Sequence, residues 1–199
     1  DIKKRKMLSL EESLKILKRT NALIEGHFIL SSGLHSSKYV QCAQLMSIPN
    51  EAVKICQSLA EKIKKEFSDF DLILSPAMGG IIVGYELGKL LNKKTIFSER
   101  VDGKFKLRRD FKIDKTNKVL IVEDVITTGK SSLECSKLVS SNGAKIIGYA
   151  CIIDRSNGQS NIKDKIISQV QLNIPTYKKE DLPKELQSIN PVKPGSRNL

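Results

Sequence analysis

The chain has no tryptophan, only 5% aromatic residues and two histidines, and no apolar run in it approaches the roughly 18 residues that a bilayer-spanning helix needs. That absence excludes a transmembrane helix, and the shortage of histidine leaves little from which to build an imidazole-rich metal site. Cysteine is sparse too: Cys42, Cys56, Cys135 and Cys151 are scattered with no CxxC pair, so the usual zinc and redox spacings are missing. Each sits beside apolar residues, as in AVKICQSLAEKI, and buried free thiols in a protein of the reducing cytoplasm are expected. The N-terminal DIKKRKMLSLEES has basic residues but no apolar core of about 7 to 15 residues, so no secretory signal is expected. A start at Asp1 is compatible with further residues upstream.

Acidic residues are outnumbered, 22 against 34 lysines and arginines, and the formal net charge is +12. Such a surplus attracts polyanions. Yet 27 of those residues are lysines spread over almost every segment, the pattern of solvated faces rather than of a nucleic-acid groove. Arginine is rare, at 7 residues, and unevenly placed: Arg100, Arg108 and Arg109 fall within ten positions, and Arg155 follows an apolar run. A planar, permanently charged donor fork suits phosphate and carboxylate, which makes these arginines candidates for anion recognition; the alternative is a solvated charge run.

With 199 residues, 40% hydrophobic and 28% charged, the chain has the size and composition of one globular domain. Ser9 followed by Glu12 is a capping-box pattern, and Leu10, Leu14 and Leu17 continue along one helical face. Val53, Cys56, Ala60, Ile63 and Phe67 mark a helix before the short strand DLILS at 71 to 75. PAMGG leads into IIVGYELGKLL, which reads as a buried helix, and KKTIFSE as a strand. KVLIVED is the strongest strand, SSLECSKLVSS a helix stopping at Asn142 and Gly143, and AKIIGYACIID a returning strand. Strands alternating with helices imply an α/β fold with a mainly parallel sheet covered on both faces. Ligands in such sheets bind at the carboxyl ends of the strands. NPVKPGSRNL at 190 to 199 reads as a tail.

KVLIVEDVITTGKSS, residues 118 to 132, places Glu123 and Asp124 at such a carboxyl end, followed by a turn with glycine and hydroxyls that opens a helix. Free amides, a positive helix end and the Thr and Ser hydroxyls make a phosphate cup. GKS at 129 to 131 resembles the end of a P-loop, but that motif needs glycine at 124, where this chain has aspartate. An acid pair beside a phosphate cup would repel phosphate unless it held something else, such as sugar hydroxyls or a metal, so a ligand combining ribose and phosphate is expected.

This segment resembles the phosphoribosyl pyrophosphate (PRPP) signature of type I phosphoribosyltransferases. The resemblance implies that Glu123 and Asp124 contact the ribose hydroxyls, while Val125, Ile126, Thr127, Thr128, Gly129, Lys130 and Ser131 wrap the 5′-phosphate. GHFILSSGLHSSKYVQ at 26 to 41 is similar to the base-recognition segment of the orotate phosphoribosyltransferases, with Phe28, Leu30, Ser32, Gly33, Ser36 and Tyr39 in corresponding places. SPAMGG at 75 to 80, with Ala77, Met78, Gly79 and Gly80, resembles the family's pyrophosphate loop, and SERVDGKFKLRRDF at 98 to 111 its mobile catalytic loop. The chain departs from the commoner pattern at Ser31 and Gly79, where many members carry lysine, and in the loop sequence Arg100, Val101, Asp102, Gly103, Lys104.

The family resemblance implies one phosphoribosyltransferase domain over 1–199: an N-terminal base-recognition hood over about 1–45, an α/β core over about 46–175 and the tail at 190–199. It implies transfer of the phosphoribosyl group from PRPP to orotate, yielding orotidine monophosphate and pyrophosphate in pyrimidine synthesis. Arg100, Lys104 and Asp124 take the catalytic roles, Arg100 and Lys104 also touching PRPP, with Arg108 or Arg109 joining them. Arg155, Thr127, Phe28 and Tyr39 bind orotate, Arg155 through the carboxylate; a surface salt bridge to Asp154 or Asp164 is the plainer alternative. Mg2+ comes with PRPP rather than being held mainly by protein. A homodimer sharing the mobile loop between subunits follows, with no nucleic-acid or membrane partner. Asp102-Gly103 is a hairpin-turn dipeptide, and Phe105, Leu107, Arg109, Phe111 and Ile113 alternate with period two, so the loop is expected as a β-hairpin arm. His27 and His35 are expected to be solvent-exposed or to bond the backbone, and Ser32 and Ser36 to line the base pocket or form turns. Two other functions fit less of the chain: a purine phosphoribosyltransferase on the same scaffold, and a PRPP-sensing regulator that binds nucleic acid.

Overall fold

Four consecutive residues, Val119 to Val122, are wholly buried in the computed structural model, which describes residues 6–194. They alternate between two cores: Leu120 and Val122 enter one, Val119 and Ile121 the other, as the period of a strand requires. In chain order the elements are α1 (Leu10–Arg19), β1 (Leu23–Ile29), β2 (His35–Val40), α2 (Cys42–Met46), α3 (Pro49–Glu66), β3 (Leu72–Pro76), α4 (Gly79–Leu91), β4 (Lys94–Val101), β5 (Lys104–Leu107), β6 (Lys118–Ile126), α5 (Lys130–Ser141), β7 (Lys145–Asp154), β8 (Ile166–Gln171), β9 (Thr176–Tyr177) and α6 (Lys184–Gln187). The main sheet has the order β5-β4-β3-β6-β7-β8. Every neighbouring pair in it is parallel except β4 with β5. Helices α1, α3 and α4 fill one core with Ile16, Leu17, Ile55, Leu59, Val83 and Leu87. Helix α5 fills the other with Cys135 and Val139. The expected α/β layering is what the chain adopts.

Local signals set the ends of the helices. Ser9 Oγ accepts the Glu12 N–H at 3.1 Å and Glu12 Oε2 accepts the Ser9 N–H at 2.8 Å, the reciprocal box that starts α1. Helix α5 stops at Asn142, and Gly143 takes a φ of +72°, which costs glycine little.

The helix expected to be buried, α4, is buried on one face only. Gly80, Gly84 and Gly88 recur every fourth residue on that face and bring the helix backbone onto the sheet. A Cβ at Gly88 would lie 1.9 Å from Thr95 Oγ1 and 3.0 Å from the Lys93 carbonyl oxygen. The opposite face leaves Met78, at the helix's cap, with Ile82 and Tyr85 exposed. Sequence periodicity separates these faces poorly, because the outer face opens with Met78, Ile82 and Tyr85 and meets the helix's only charges, Glu86 and Lys89, near its end. Gly88→Ala is expected to destabilise the fold by about 1 to 2 kcal/mol: overpacking costs about 1–3 kcal/mol and outweighs the roughly 0.5–1 kcal/mol that alanine gains in a helix. Calorimetry should show a melting temperature lower by about 2 to 8 °C.

A second sheet, β1-β2-β9, is antiparallel and lies apart from the main one. Its hairpin pairs Phe28 with Ser36 and Ile29 with His35. The histidines are not exposed as expected: His27 and His35 are 3% and 5% exposed. His27 Nδ1 donates to the Ile189 carbonyl at 2.8 Å, and its Nε2 lies 2.6 Å from His35 Nδ1. The backbone bond expected for a histidine is thus found at His27. Burial follows because the hairpin brings the two rings together and a distant segment covers them. The described part of that segment is tied to β1, with the Ile29 N–H on the Val192 carbonyl (2.8 Å) and the Val192 N–H on that of His27 (2.9 Å).

Candidate active site

Parallel pairing brings the carboxyl ends of β3, β4, β6 and β7 to one edge of the sheet. There β3 delivers Ala77, Met78, Gly79 and Gly80, while β6 delivers Glu123 and Asp124. Arg155 follows β7, and β4 ends in Arg100 and Val101. The loop after β3 touches the acid pair directly: a Cβ at Gly79 would stand 2.5 Å from Asp124 Oδ2. Glycine at 79, in place of a longer side chain, is what lets this backbone lie against the carboxylate.

Both acids are largely removed from water. Burial pushes the Glu123 carboxyl up to about 7; the Ser132 hydroxyl, which donates to Glu123 Oε2, opposes the rise and the neighbouring Asp124 adds to it. Burial raises Asp124 as well, against the Val125 N–H that donates to its Oδ1 at 2.8 Å. The turn after them is open. Thr127, Thr128 and Lys130 are exposed, and Gly129 caps α5 at a φ of +82°. Lys130 N–H reaches Thr128 Oγ1 at 3.3 Å, and Asn161 N–H holds the Thr128 carbonyl at 2.8 Å. Gly129 is pressed against Ile162, whose Cγ1 would lie 2.8 Å from an added Cβ. The result is a braced turn of amides and hydroxyls at a positive helix end, one step from two half-buried carboxylates. Ile126 faces elsewhere: it is 1% exposed, in the core, with its carbonyl taken by the Arg155 N–H at 2.9 Å.

Arg155 is half-buried, and burial lowers its pKa, opposed only by the nearby Tyr39 phenol. It forms no ion pair with the described carboxylates, so the alternative of a bridge to Asp154 or Asp164 is not what the chain makes; Asp154 Oδ1 instead accepts the Ser156 N–H at 2.9 Å. Tyr39 stands between this arginine and Phe28, whose ring centroid is 5.9 Å from its own. Phe28 itself is 6% exposed.

The β4–β5 hairpin turns on Asp102 and Gly103 with φ of +49° and +77°, the doubly positive turn that this dipeptide favours. Its strand part is shorter than the alternation from Phe105 to Ile113 suggested, ending at Leu107. Arg100 stacks on Phe105 at 4.2 Å, donates to the Gly103 carbonyl at 2.7 Å and sits 2.8 Å from Glu134 Oε2. The last contact is an ion pair by distance without hydrogen-bond alignment, since that oxygen has no aligned donor. Arg109 grips Glu99 through two bonds of 2.9 and 3.0 Å, and Arg108 approaches the same acid at 3.6 Å. Lys104 is exposed. Two pairings across this region, Ser132 with Glu123 and Arg100 with Glu134, carry no mark in the sequence.

The phosphoribosyl transferase domain family matches residues 43–182. An orotate phosphoribosyltransferase of Parvibaculum lavamentivorans is 44% identical over 95% of this chain and 98% of its own length. The chain belongs to the orotate phosphoribosyltransferase family. A second relative of that name, from Maricaulis maris, is 42% identical over the same shares. Among solved structures, the orotate phosphoribosyltransferase of Aeropyrum pernix superposes with a TM-score of 0.70 at 24% identity, covering 79% of this chain and 92% of that one. That likeness gives the type I phosphoribosyltransferase fold, with its mixed, mostly parallel sheet flanked by helices. Family membership makes the chain a pentosyl transferase.

Proposed function

We propose that this chain transfers the 5-phosphoribosyl group from PRPP to orotate, releasing pyrophosphate and forming orotidine 5′-monophosphate. One observation supports the choice of base above the rest: Arg155, half-buried and without an acidic partner among the described residues, lies at the same sheet edge as the acid pair and the 127–131 turn. Even half-burial of a guanidinium without a counter-ion is costly, and an orotate carboxylate supplies one. A neutral purine does not. The 42–44% identical relatives named for this activity point the same way.

In this reading the 5′-phosphate enters the turn from Val125 to Ser131, where Thr127, Thr128, Lys130 and Ser131 offer donors at the start of α5. Glu123 and Asp124 accept the ribose hydroxyls, and the backbone of Ala77 to Gly80 runs beside the pyrophosphate. Orotate lies between Arg155 and Tyr39, near Thr127, with Phe28 packing behind Tyr39. As a ring nitrogen of the base bonds to C1 and gives up its proton to the departing pyrophosphate or to water, the C1–oxygen bond breaks and its electron pair leaves with pyrophosphate. Positive charge grows on the sugar beside Asp124, and negative charge on the leaving group is met by Arg100 and Lys104. Positioning and fixed charges carry such a reaction, and closure of the hairpin arm keeps water from the activated sugar.

Among the described residues no cluster of three or more His, Cys, Asp or Glu is placed to hold a metal ion. Mg2+ would arrive with PRPP and would supply neutralisation of phosphate charge, the role such an ion takes when it is bound mainly through substrate phosphates. The exposed face of α4, with Met78, Ile82 and Tyr85 beside the site, supports a homodimer in which the arm reaches a neighbour's site. Four free, buried cysteines support a cytoplasmic setting, and no described helix is long and apolar enough to cross a membrane. The test is direct: incubate the protein with PRPP, Mg2+ and either orotate or a purine base and follow base absorbance. Consumption of orotate alone is expected; consumption of purines alone overturns the reading.

The raised Glu123 carboxyl gives a pH dependence with a definite sign. The unfolded chain ionises this group near 4.5 and the fold near 7, so the ligand-free fold loses stability as pH rises between these values. A sugar bound to the ionised carboxylate shows the converse, binding more tightly as pH rises toward 7. PRPP dissociation constants measured by calorimetry should increase roughly tenfold for each pH unit below that point. The 5′-phosphate titrates near about 6 as well, so Glu123→Gln is the control: the part of the slope that it removes belongs to Glu123.

A further inference from the structure

Ser132 lies in the first turn of α5, is 0% exposed, and donates its hydroxyl to Glu123 Oε2. It cannot touch a ligand from there. It is the one side-chain donor acting on Glu123 among the described residues, and it belongs to the same helical turn whose amides form the phosphate cup. We propose that Ser132 is a positioning residue of the transfer reaction: by occupying Oε2 it presents the other carboxylate oxygen to a ribose hydroxyl and ties that carboxylate to the turn that receives the 5′-phosphate. The inference rests on the reading of Glu123 as a ribose contact.

The geometry couples two halves of the PRPP site. A phosphate in the cup would bear on the first turn of α5, already helical from Lys130, and that turn carries the hydroxyl that aims Glu123. The surroundings offer no substitute for it. Asp124 repels a charge on Glu123, and the Cys135 and Cys151 thiols near Glu123 are themselves driven up by burial, Cys135 to about 12, so they stay neutral. Without the hydroxyl, burial and Asp124 both act to protonate Glu123, and the protonated acid loses an acceptor.

The test is steady-state kinetics on the full chain across pH, varying PRPP and orotate separately. Ser132→Ala is expected to raise KM for PRPP about tenfold near neutral pH, the effect of removing one partner from a buried charged acceptor. The acid limb of kcat/KM for PRPP should move up by about one pH unit, with KM for orotate unchanged. Ser132→Thr, which keeps the hydroxyl, should return the limb to its place, and Ser132→Cys, of similar volume with a weaker donor, should shift it part-way. The cysteine variant keeps the test in force if the alanine variant folds poorly. An acid limb that stays put in Ser132→Ala and Ser132→Cys, whatever the loss of rate, overturns the positioning role. Glu123→Gln separates the two levels: if it leaves KM for PRPP at the wild-type value, the ribose reading fails first. If it raises that KM while the serine variants keep the wild-type pH profile, only the role of Ser132 fails.

Discussion

Arg155→Ala is expected to lower kcat/KM for orotate by about 10² to 10³ while leaving KM for PRPP within about twofold. The size follows from the carboxylate fork that alanine cannot make. Two charge-assisted hydrogen bonds to a carboxylate contribute about 1.5–3 kcal/mol each, and half-burial of the guanidinium places the pair between the exposed and fully desolvated limits. A loss of about 3 to 4 kcal/mol is a rate factor in that range. The direction follows from place: Arg155 follows β7, whereas the 127–131 turn follows β6, so in the proposed site the two ligands lean on different strands. Arg155→Lys keeps the charge without the fork and should recover only part of the activity. Kinetics with each substrate varied in turn decide the matter, and equal losses for orotate and PRPP would contradict the carboxylate assignment.

Legibility in the sequence tracks how local each interaction is. The run 118–132 could be read because strand, acid pair, turn glycine and helix start are consecutive, each governed by its neighbours along the chain. The capping box of α1 and the Asp102-Gly103 turn were equally plain for the same reason. Strand β8 left no mark because Gln169 sits in the core: its Nε2 donates to Ser13 Oγ at 2.9 Å, and this distant partner makes a polar residue a buried one. Ser132 and Glu123 are nine positions apart and meet only because the turn folds α5 back over the end of β6. The histidine pair needs a hairpin and the Ile189 carbonyl, 162 positions from His27, to become a buried unit. The single buried face of α4 depends on which neighbours the sheet supplies, so its other apolar face was invisible until the layers were in place.

Arg100→Ala should lower kcat by about 10² to 10³, the effect of deleting a donor that meets charge developing on a leaving group, with a smaller change in PRPP affinity. The contacts of Arg100 add a second expectation. It is held by Glu134, the Gly103 carbonyl and the Phe105 ring, so in the proposed mechanism the arm releases Glu134 before the guanidinium reaches pyrophosphate. An ion pair as exposed as this one, 41% and 24% at the two side chains, holds the arm by only about 0.2–1 kcal/mol. Glu134→Gln should therefore ease closure and lower KM for PRPP by no more than about fivefold. The double variant discriminates: with Arg100 already alanine, Glu134→Gln has nothing to release and its effect should vanish. If instead the glutamine change acts equally with and without Arg100, Glu134 influences PRPP by some route other than parking the arm.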